Sequence, residues 1–220
     1  MSYKKHIPKD VQNLYDIYEF KHASTILAHD FPEVFQELIY VLRSFRFTEA
    51  DAERPGGNKG PVVKKVEALL KPLKWKHEQK LTGSLTVGGK AVINDTHKVD
   101  HIKDRVVFDV EWNSKDQTFD RDLYAFRHFF EFDAISVGII LTRSEDLVPV
   151  FKKLGINKKY GKSTTHTGKL LPRLKANRNG GCPVLVFAIT PFLLASKNKL
   201  SYVNPILNQY NCTHGNIQWY

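Results

Sequence analysis

Three acidic residues in one short stretch are the strongest candidates for chemistry. The stretch reads VDHIKDRVVFDVEW and carries Asp100, Asp109 and Glu111. Its second half predicts a β-strand, in which residues two apart point to the same face. Asp109 and Glu111 therefore share a face. The nine residues back to Asp100 are enough for a hairpin to bring it beside them.

Three carboxylates at one point repel each other unless a cation lies between them. Hard oxygen ligands of this kind favour Mg²⁺, which can polarise a phosphodiester and activate water. The spacing leaves an alternative open, in which the acids are the solvated face of an edge strand. His97 and His101 flank Asp100, but on one strand they would lie about 13 Å apart, too far to share a metal.

The charge distribution predicts a polyanionic partner. The formal net charge is +10, and no Asp or Glu follows Asp146. That acid-free segment carries many cations: Lys152, Lys153, Lys158, Lys159, Lys162, Lys169, Arg173, Lys175, Arg178, Lys197 and Lys199. The positive electrostatic potential of such a segment attracts the phosphates of nucleic acid. The alternative is a basic surface without a partner.

Hydrophobic periodicity predicts a single α/β domain with a central mixed β-sheet flanked by helices. Helices are expected at 10–29, 31–46, 61–71 and 120–132, and strands at 81–87, 91–94, 106–112, 135–141 and 184–189. A polar, basic segment covers 155–181. The domain divides into a helical N-terminal part (1–75), a catalytic core (78–142) and a basic DNA-contacting part (147–220).

The acidic stretch and the thirty residues after it resemble the BglII/BstYI-type restriction endonucleases of the PD-(D/E)XK nuclease superfamily. The similar phrase is VDHIKDRVVFDVEWNSKDQTFDRDLYAFRHFFEFDAISVGIIL. An Asp is followed by KDRV, acid-x-acid in a strand, an aromatic-rich helix, and VGI in a buried strand. Weaker similarity extends from Gly60 through Trp75 and over residues 167–189. The resemblance implies a restriction-endonuclease-like core.

The resemblance also assigns roles to the acids. Asp100 and Asp109 match the two metal ligands, although Asp109 stands where the family more often has Glu. Glu111 lies where the superfamily usually has Lys, where BglII-like enzymes have Gln and where the related BamHI has Glu. It is either the general base or the group that orients the attacking water. Glu78, three residues past Trp75, matches a further polar residue of the site.

Two segments are candidates for DNA contact. Resemblance to dimeric restriction enzymes places the segment after the catalytic strand, with Asn113, Ser114 and Lys115, in the major groove. A glycine-flanked, hydroxyl-rich loop is the second candidate and carries Lys162, Ser163, Thr164, Thr165 and His166. Arg173, Lys175 and Arg178 are expected to contact phosphates. The alternatives are a polar turn for the first segment and an ordinary surface loop for the second.

The resulting hypothesis is a Mg²⁺-dependent type II restriction endonuclease. The resemblance implies a homodimer that cuts double-stranded DNA at a short palindromic site. No run of 18 apolar residues is present and the N-terminus lacks a signal-peptide core, so a cytoplasmic, prokaryotic protein without a membrane span is expected. Two alternatives remain: a repair or structure-specific nuclease on the same core, and a non-catalytic DNA-binding protein.

Overall fold

The computed structural model of this chain describes residues 3–54, 59–80, 83–94 and 98–195. Eight strands and nine α-helices lie within these ranges. In chain order they are α1 (Tyr3–His6), α2 (Lys9–Gln12), β1 (Tyr15–Phe20), α3 (Ala23–Asp30), α4 (Pro32–Ser44), α5 (Glu49–Glu53), α6 (Pro61–Leu70), β2 (Lys76–Lys80), β3 (Gly83–Val87), β4 (Lys90–Asn94), β5 (Lys98–Lys103), β6 (Val106–Glu111), α7 (Thr118–Glu131), β7 (Val137–Arg143), α8 (Leu147–Lys153), α9 (Thr167–Lys175) and β8 (Val184–Ile189). Short 3₁₀ turns lie at Lys71–Leu73 and Pro191–Leu193.

Six strands form one mixed sheet in the order β1-β8-β7-β6-β5-β2. The pairs β6–β7 and β7–β8 are parallel, whereas β1–β8, β5–β6 and β2–β5 are antiparallel. Strands β3 and β4 form a separate two-stranded sheet. The fold is therefore the predicted α/β architecture with a central mixed sheet.

Helices cover both faces of the sheet, so its central strands are buried throughout. Every residue of β6, β7 and β8 is buried. Phe108 and Val110 pack on one face with residues of α4 and α6. Val107 packs on the other face with residues of α7 and α9. Asp109 and Glu111 alternate with Phe108 and Val110, so their side chains lie on the α7 face.

Several sequence predictions agree with the structure to within two residues. These are the helices that begin at Pro32 and Pro61, the strands β6, β7 and β8, and the helix α7. The predicted strands 81–87 and 91–94 correspond to β3 and β4. The first two residues of the former, together with His97, Lys197 and Lys199, lie outside the described residues. No helix in the described ranges is long and apolar enough to cross a membrane.

The prediction of one helix over residues 10–29 is wrong. Strand β1 occupies Tyr15–Phe20 and separates α2 from α3. Tyr15 and Ile17 alternate inward, and the strand pairs with β8 across more than 160 residues of sequence. Tertiary pairing with β8 thus determines the structure of this segment, against the helical spacing of its apolar residues.

Strands β2 and β5 and helix α9 were missed. The sequence of β2, KHEQK, has no apolar alternation because it is the edge of the sheet, where charged residues are common. Helix α9 lies inside the segment 155–181, for which the sequence indicates only a polar, basic character. Its inner face is only Leu170 and Leu174, too sparse to dominate a basic stretch.

Candidate active site

The β5–β6 hairpin brings Asp100 beside Asp109. The strands pair antiparallel with His101 opposite Phe108. The Asp100 backbone N–H donates to Asp109 Oδ1 at 2.8 Å. In return, Asp100 Oδ2 accepts from the Val110 backbone N–H at 2.9 Å. These reciprocal hydrogen bonds hold the two carboxylates at the same level of the hairpin.

The acids are buried rather than solvated, which argues against the edge-strand alternative. Asp109 and Glu111 are 3% and 7% exposed. Burial, followed by the charge of Asp100, raises the pKa of Asp109 well above its ordinary value. Burial raises the pKa of Glu111 to about 7, and burial also raises the pKa of Asp100. Without a cation the cluster therefore resists ionisation.

A fourth carboxylate, Asp122, faces the same cluster from α7. It is buried, and its Oδ2 has no hydrogen-bond partner in the described part of the chain. Burial raises its pKa well above the ordinary value, and the charges of Glu111, Asp109 and Asp100 raise it further. Asp122 was missed at the level of sequence because the aromatic residues dominate the pattern of that helix. The spacing of Asp122 from Phe119 and Phe126, three and four residues away, places it on the buried face.

Two polar neighbours, Ser114 and Arg121, lower pKa values within the cluster of acids. A hydrogen bond from the Ser114 side chain lowers the pKa of Glu111. The exposed Arg121 lowers the pKa of Glu111, Asp109 and Asp122 through its positive charge. Arg121 is therefore an exposed cation close enough for its charge to act on the cluster.

The donor set suits a divalent cation. The side chains of Asp100, Asp109, Glu111 and Asp122 offer only oxygen atoms. Glu111 Oε2, like Asp122 Oδ2, is buried without a hydrogen-bond partner among the described residues. Buried carboxylates with unsatisfied oxygens are stabilised by a hard cation such as Mg²⁺.

Glu78 lies at the rim of this region. It is on the edge strand β2 with a φ of 48°, and its side chain is 43% exposed. It pairs with Lys59 at 2.8 Å and with Lys98 at 3.4 Å. Glu67 of α6, which no sequence pattern singled out, is close enough for its charge to raise the pKa of Asp100.

The two segments predicted to read DNA lie side by side. The Asp116 N–H donates to the Ser163 carbonyl at 3.0 Å, and the Thr165 N–H donates to the Ser114 carbonyl at 2.9 Å. Both segments therefore form one surface at the carboxyl end of β6. Lys162 and Ser163 are exposed on it.

Other residues of these segments have structural partners. Arg143, buried on β7, donates to the Trp112 carbonyl at 2.7 Å and to the Thr164 hydroxyl at 2.5 Å. Thr165 is fully buried. The ring of His166 accepts a hydrogen bond from the Gly168 N–H at the start of α9. These contacts attach the loop firmly to the catalytic strand.

Of the three cations expected on phosphates, Lys175 is exposed, whereas Arg173 and Arg178 pair with Asp120. Arg173 makes two hydrogen bonds of 3.0 Å to that carboxylate and also lies 3.6 Å from Asp116. Arg173 therefore ties α9 to the beginning of α7. Asn113 is half-buried, and its Oδ1 has no partner among the described residues.

The fold is that of a restriction endonuclease. A mixed sheet flanked by helices presents a hairpin of buried acids, with a polar, basic surface next to it. The crystal structure of restriction endonuclease BglII complexed with a DNA 16-mer has the same fold. It matches with a TM-score of 0.54 and 14% identity over 83% of this chain and 78% of that chain.

The chain belongs to the restriction endonuclease BglII/BglIII family. The family's sequence profile matches residues 15–189, from the first strand to the last strand of the sheet. The protein is thus a type II site-specific DNA endonuclease. No curated protein sequence matches the chain.

Proposed function

We propose that the protein is a Mg²⁺-dependent restriction endonuclease that acts as a homodimer on a short palindromic site in double-stranded DNA, in the cytoplasm of a prokaryotic cell. The observation that carries the proposal is the shared electrostatic environment of the four acids, in which the charges of neighbouring carboxylates raise the pKa values of Asp109, Glu111 and Asp122. Three buried carboxyl groups and the half-buried Asp100 all have raised pKa values, and a cation bound beside them would offset the cost of their negative charges.

Asp100 and Asp109 are the proposed metal ligands. The reciprocal hydrogen bonds of the hairpin fix their spacing before a cation arrives. Such preorganisation lowers the cost of binding. When bound, the cation supplies positive charge that polarises the phosphodiester and promotes ionisation of the attacking water.

Glu111 is proposed to hold the attacking water, either as its general base or as the group that orients it. In the cation-free protein, burial raises the pKa of Glu111 to about 7, and a cation bound beside it would favour the carboxylate form that accepts a proton. Its Oε2 has no hydrogen-bond partner among the described residues and is free for a new one. Glu78 stays a candidate at the rim, and its exposure and its ion pairs favour a supporting role over direct contact with the reacting atoms.

The joined surface of Asn113, Ser114 and Lys115 with the loop around Ser163 is proposed to contact DNA. Lys162 and Lys175 are exposed cations suited to phosphates, and Arg121 is suited to the phosphate that is cut. Thr164, Thr165, His166, Arg173 and Arg178 are proposed to support this surface through their contacts within the protein. Homodimerisation would place two such surfaces on the two halves of a palindrome.

The experiment is digestion of a plasmid in Mg²⁺, followed by sequencing of the ends. We expect breaks in both strands at one short sequence with twofold symmetry. The matched control is Asp100→Ala, which should leave the plasmid intact. Breaks at scattered sequences, or nicks confined to one strand at junctions and mismatches, would instead support a repair or structure-specific nuclease.

A further inference from the structure

A second group of metal-ligating side chains lies where α6 meets the edge of the sheet. His77 of β2 is directly opposite His101 of β5, and their ring centroids are 4.9 Å apart. Glu67 of α6 completes the group. One potential ligand atom from each of the three residues lies within 4.8 Å of the others. His101 and Asp100 are neighbours on β5, so the imidazole points away from the face that carries the carboxylate cluster.

Both imidazoles are held in the orientation that metal binding requires. His101 Nδ1 is 3.2 Å from the Phe108 carbonyl oxygen, and His77 Nδ1 is 3.0 Å from the Asp100 carbonyl oxygen. A carbonyl oxygen only accepts, so the proton of each neutral ring lies on Nδ1 and the lone pair on Nε2. Metal-binding histidines are typically fixed by such a second hydrogen bond.

A positive charge already occupies this place. The Lys59 ammonium lies 2.5 Å from His77 Nε2, 3.2 Å from Glu67 Oε1 and 2.8 Å from Glu78 Oε1. The ammonium thus contacts two of the three residues of the group, His77 and Glu67. Its side chain is 34% exposed and belongs to the connection that precedes α6, so it can leave without disturbing a strand or helix.

We propose that Glu67, His77 and His101 bind a transition-metal dication of the Zn²⁺ or Co²⁺ type, which displaces the Lys59 ammonium. Two imidazoles and one carboxylate favour such ions over Mg²⁺, which prefers oxygen ligands. Ligand distances of about 2.0–2.2 Å require the three atoms to approach one another to about 3.3 Å. The exposed His77 and the mobile carboxylate arm of Glu67 supply that movement, while His101 stays fixed.

The bound ion fastens α6 to β2 and β5 next to the catalytic hairpin. His77 connects it to that hairpin through the Asp100 carbonyl. The site is thus a structural clamp beside the proposed Mg²⁺ site. This site goes beyond the proposed nuclease function and uses different side chains. The proposal for this site and the proposal for the nuclease can therefore be tested separately.

The test is a titration of the full chain with Co²⁺, followed by visible absorption, in an excess of Mg²⁺ that saturates oxygen-ligand sites. We expect one equivalent of Co²⁺ to give an absorption band that Zn²⁺ removes. Loss of an outer hydrogen-bond partner alone weakens metal binding about 10–100-fold. His77→Gln and Glu67→Gln should therefore weaken binding at least about tenfold. Lys59→Ala should strengthen it, because the competing ammonium is gone.

The matched control is His22→Gln, which removes an exposed histidine elsewhere in the chain and should bind Co²⁺ like the wild type. His77 is used instead of the buried His101 because its side chain is 39% exposed and its replacement leaves the core intact. Unchanged Co²⁺ affinity in His77→Gln, or complete loss of the Co²⁺ band in excess Mg²⁺, would overturn the proposal. No gain in affinity in Lys59→Ala would overturn the displacement of the ammonium.

Discussion

The properties of the site result from burying carboxyl groups without enough hydrogen-bond donors. Burial is the largest cause of the raised pKa at Asp100, Asp109, Glu111 and Asp122 alike. Among the described residues, backbone N–H groups donate to Asp100 and Asp109, and the Ser114 side chain donates to Glu111. The remaining lack of donors disfavours the charged, metal-free protein, and it would be the source of binding energy for the proposed cation.

This deficit predicts how stability depends on pH. The folded-state pKa of Glu111, about 7, lies above its ordinary value of 4.5. The folded protein therefore binds more protons than the unfolded chain between these values, and the contribution of Glu111 to stability falls as the pH rises through them. In EDTA, Glu111→Gln should be more stable than the wild type at pH 8 and equal to it at pH 4.5. Urea unfolding at the two pH values measures this, and an equal difference at both would contradict it.

Asp122 yields a second prediction. Its Asn variant keeps the shape but removes one negative charge from the cluster, so Mg²⁺ should bind about tenfold more weakly. Mg²⁺-dependent thermal shifts measure the change. Asp120→Asn is the matched control, because Asp120 lies on the same helix but pairs with Arg173 and Arg178. That variant should lose stability and keep its Mg²⁺ affinity, and the idea fails if both variants bind Mg²⁺ alike.

Among individual residues, the sequence predicted that Asp109 and Glu111 share one face of a strand, because strand alternation is a local rule. It could not predict Asp122 or Glu67 as neighbours of those acids. Each lies on a helix whose distance from the hairpin depends on packing across a sheet face. The same holds for His77, which reaches His101 from another strand.

At the scale of elements, close packing of α7 on β7 sets the position of Asp122. Gly138 makes this approach possible, because a Cβ there would collide with the ring of Phe126. Overpacking of this kind costs about 1–3 kcal/mol. Strand β7 was predicted from its apolar run, but the need for glycine at this position depends on the partner helix.

Gly138→Ala is therefore expected to lower the free energy of unfolding by about 1–3 kcal/mol. Combining it with Phe126→Leu should recover part of the loss, because the smaller side chain makes room for the methyl group. Gly161→Ala is the control, since its Cβ would meet only the Lys158 carbonyl oxygen at 3.6 Å. Chemical denaturation measures these variants and Phe126→Leu alone, and strictly additive effects of the pair would rule out the collision.

Helices and strands with a clear apolar face were predicted, and those without one were not. The edge strand β2 carries charges, β1 is specified by its pairing with β8, and α9 is mostly basic. Elements of this kind acquire their structure from tertiary contacts. Strand β2 and helix α9 lie next to the catalytic hairpin and its neighbouring surface, so the sequence predicted the centre of the site better than these surroundings.

At the scale of the whole molecule, charge is separated along the chain. All acids precede residue 147, and the basic segment folds back so that its loop joins the surface beyond β6. Acids of the first part neutralise Arg173 and Arg178, which reduces the cations available to DNA. The net charge therefore overestimates the number of phosphate contacts, whereas exposed lysines such as Lys162 are the better guide.

Lys162→Ala should weaken DNA binding to every sequence and reduce the slope of log K against log salt by about one per subunit. Lys5→Ala, an exposed lysine on α1, is the control and should leave the slope unchanged. Fluorescence anisotropy with duplex DNA in Ca²⁺ across a salt series measures both. Equal slopes for Lys162→Ala and the wild type would place this loop away from the phosphates.

The most direct test of the account is the Asp109→Asn variant, compared with the wild type for cleavage in Mg²⁺ and for duplex binding in Ca²⁺. Removal of one group that stabilises the charge of the transition state typically costs about 10²–10³-fold in rate. We expect at least that loss of cleavage, with DNA binding retained. Cleavage by Asp109→Asn at the wild-type rate, or no cleavage of DNA by the wild type in Mg²⁺, would contradict the account.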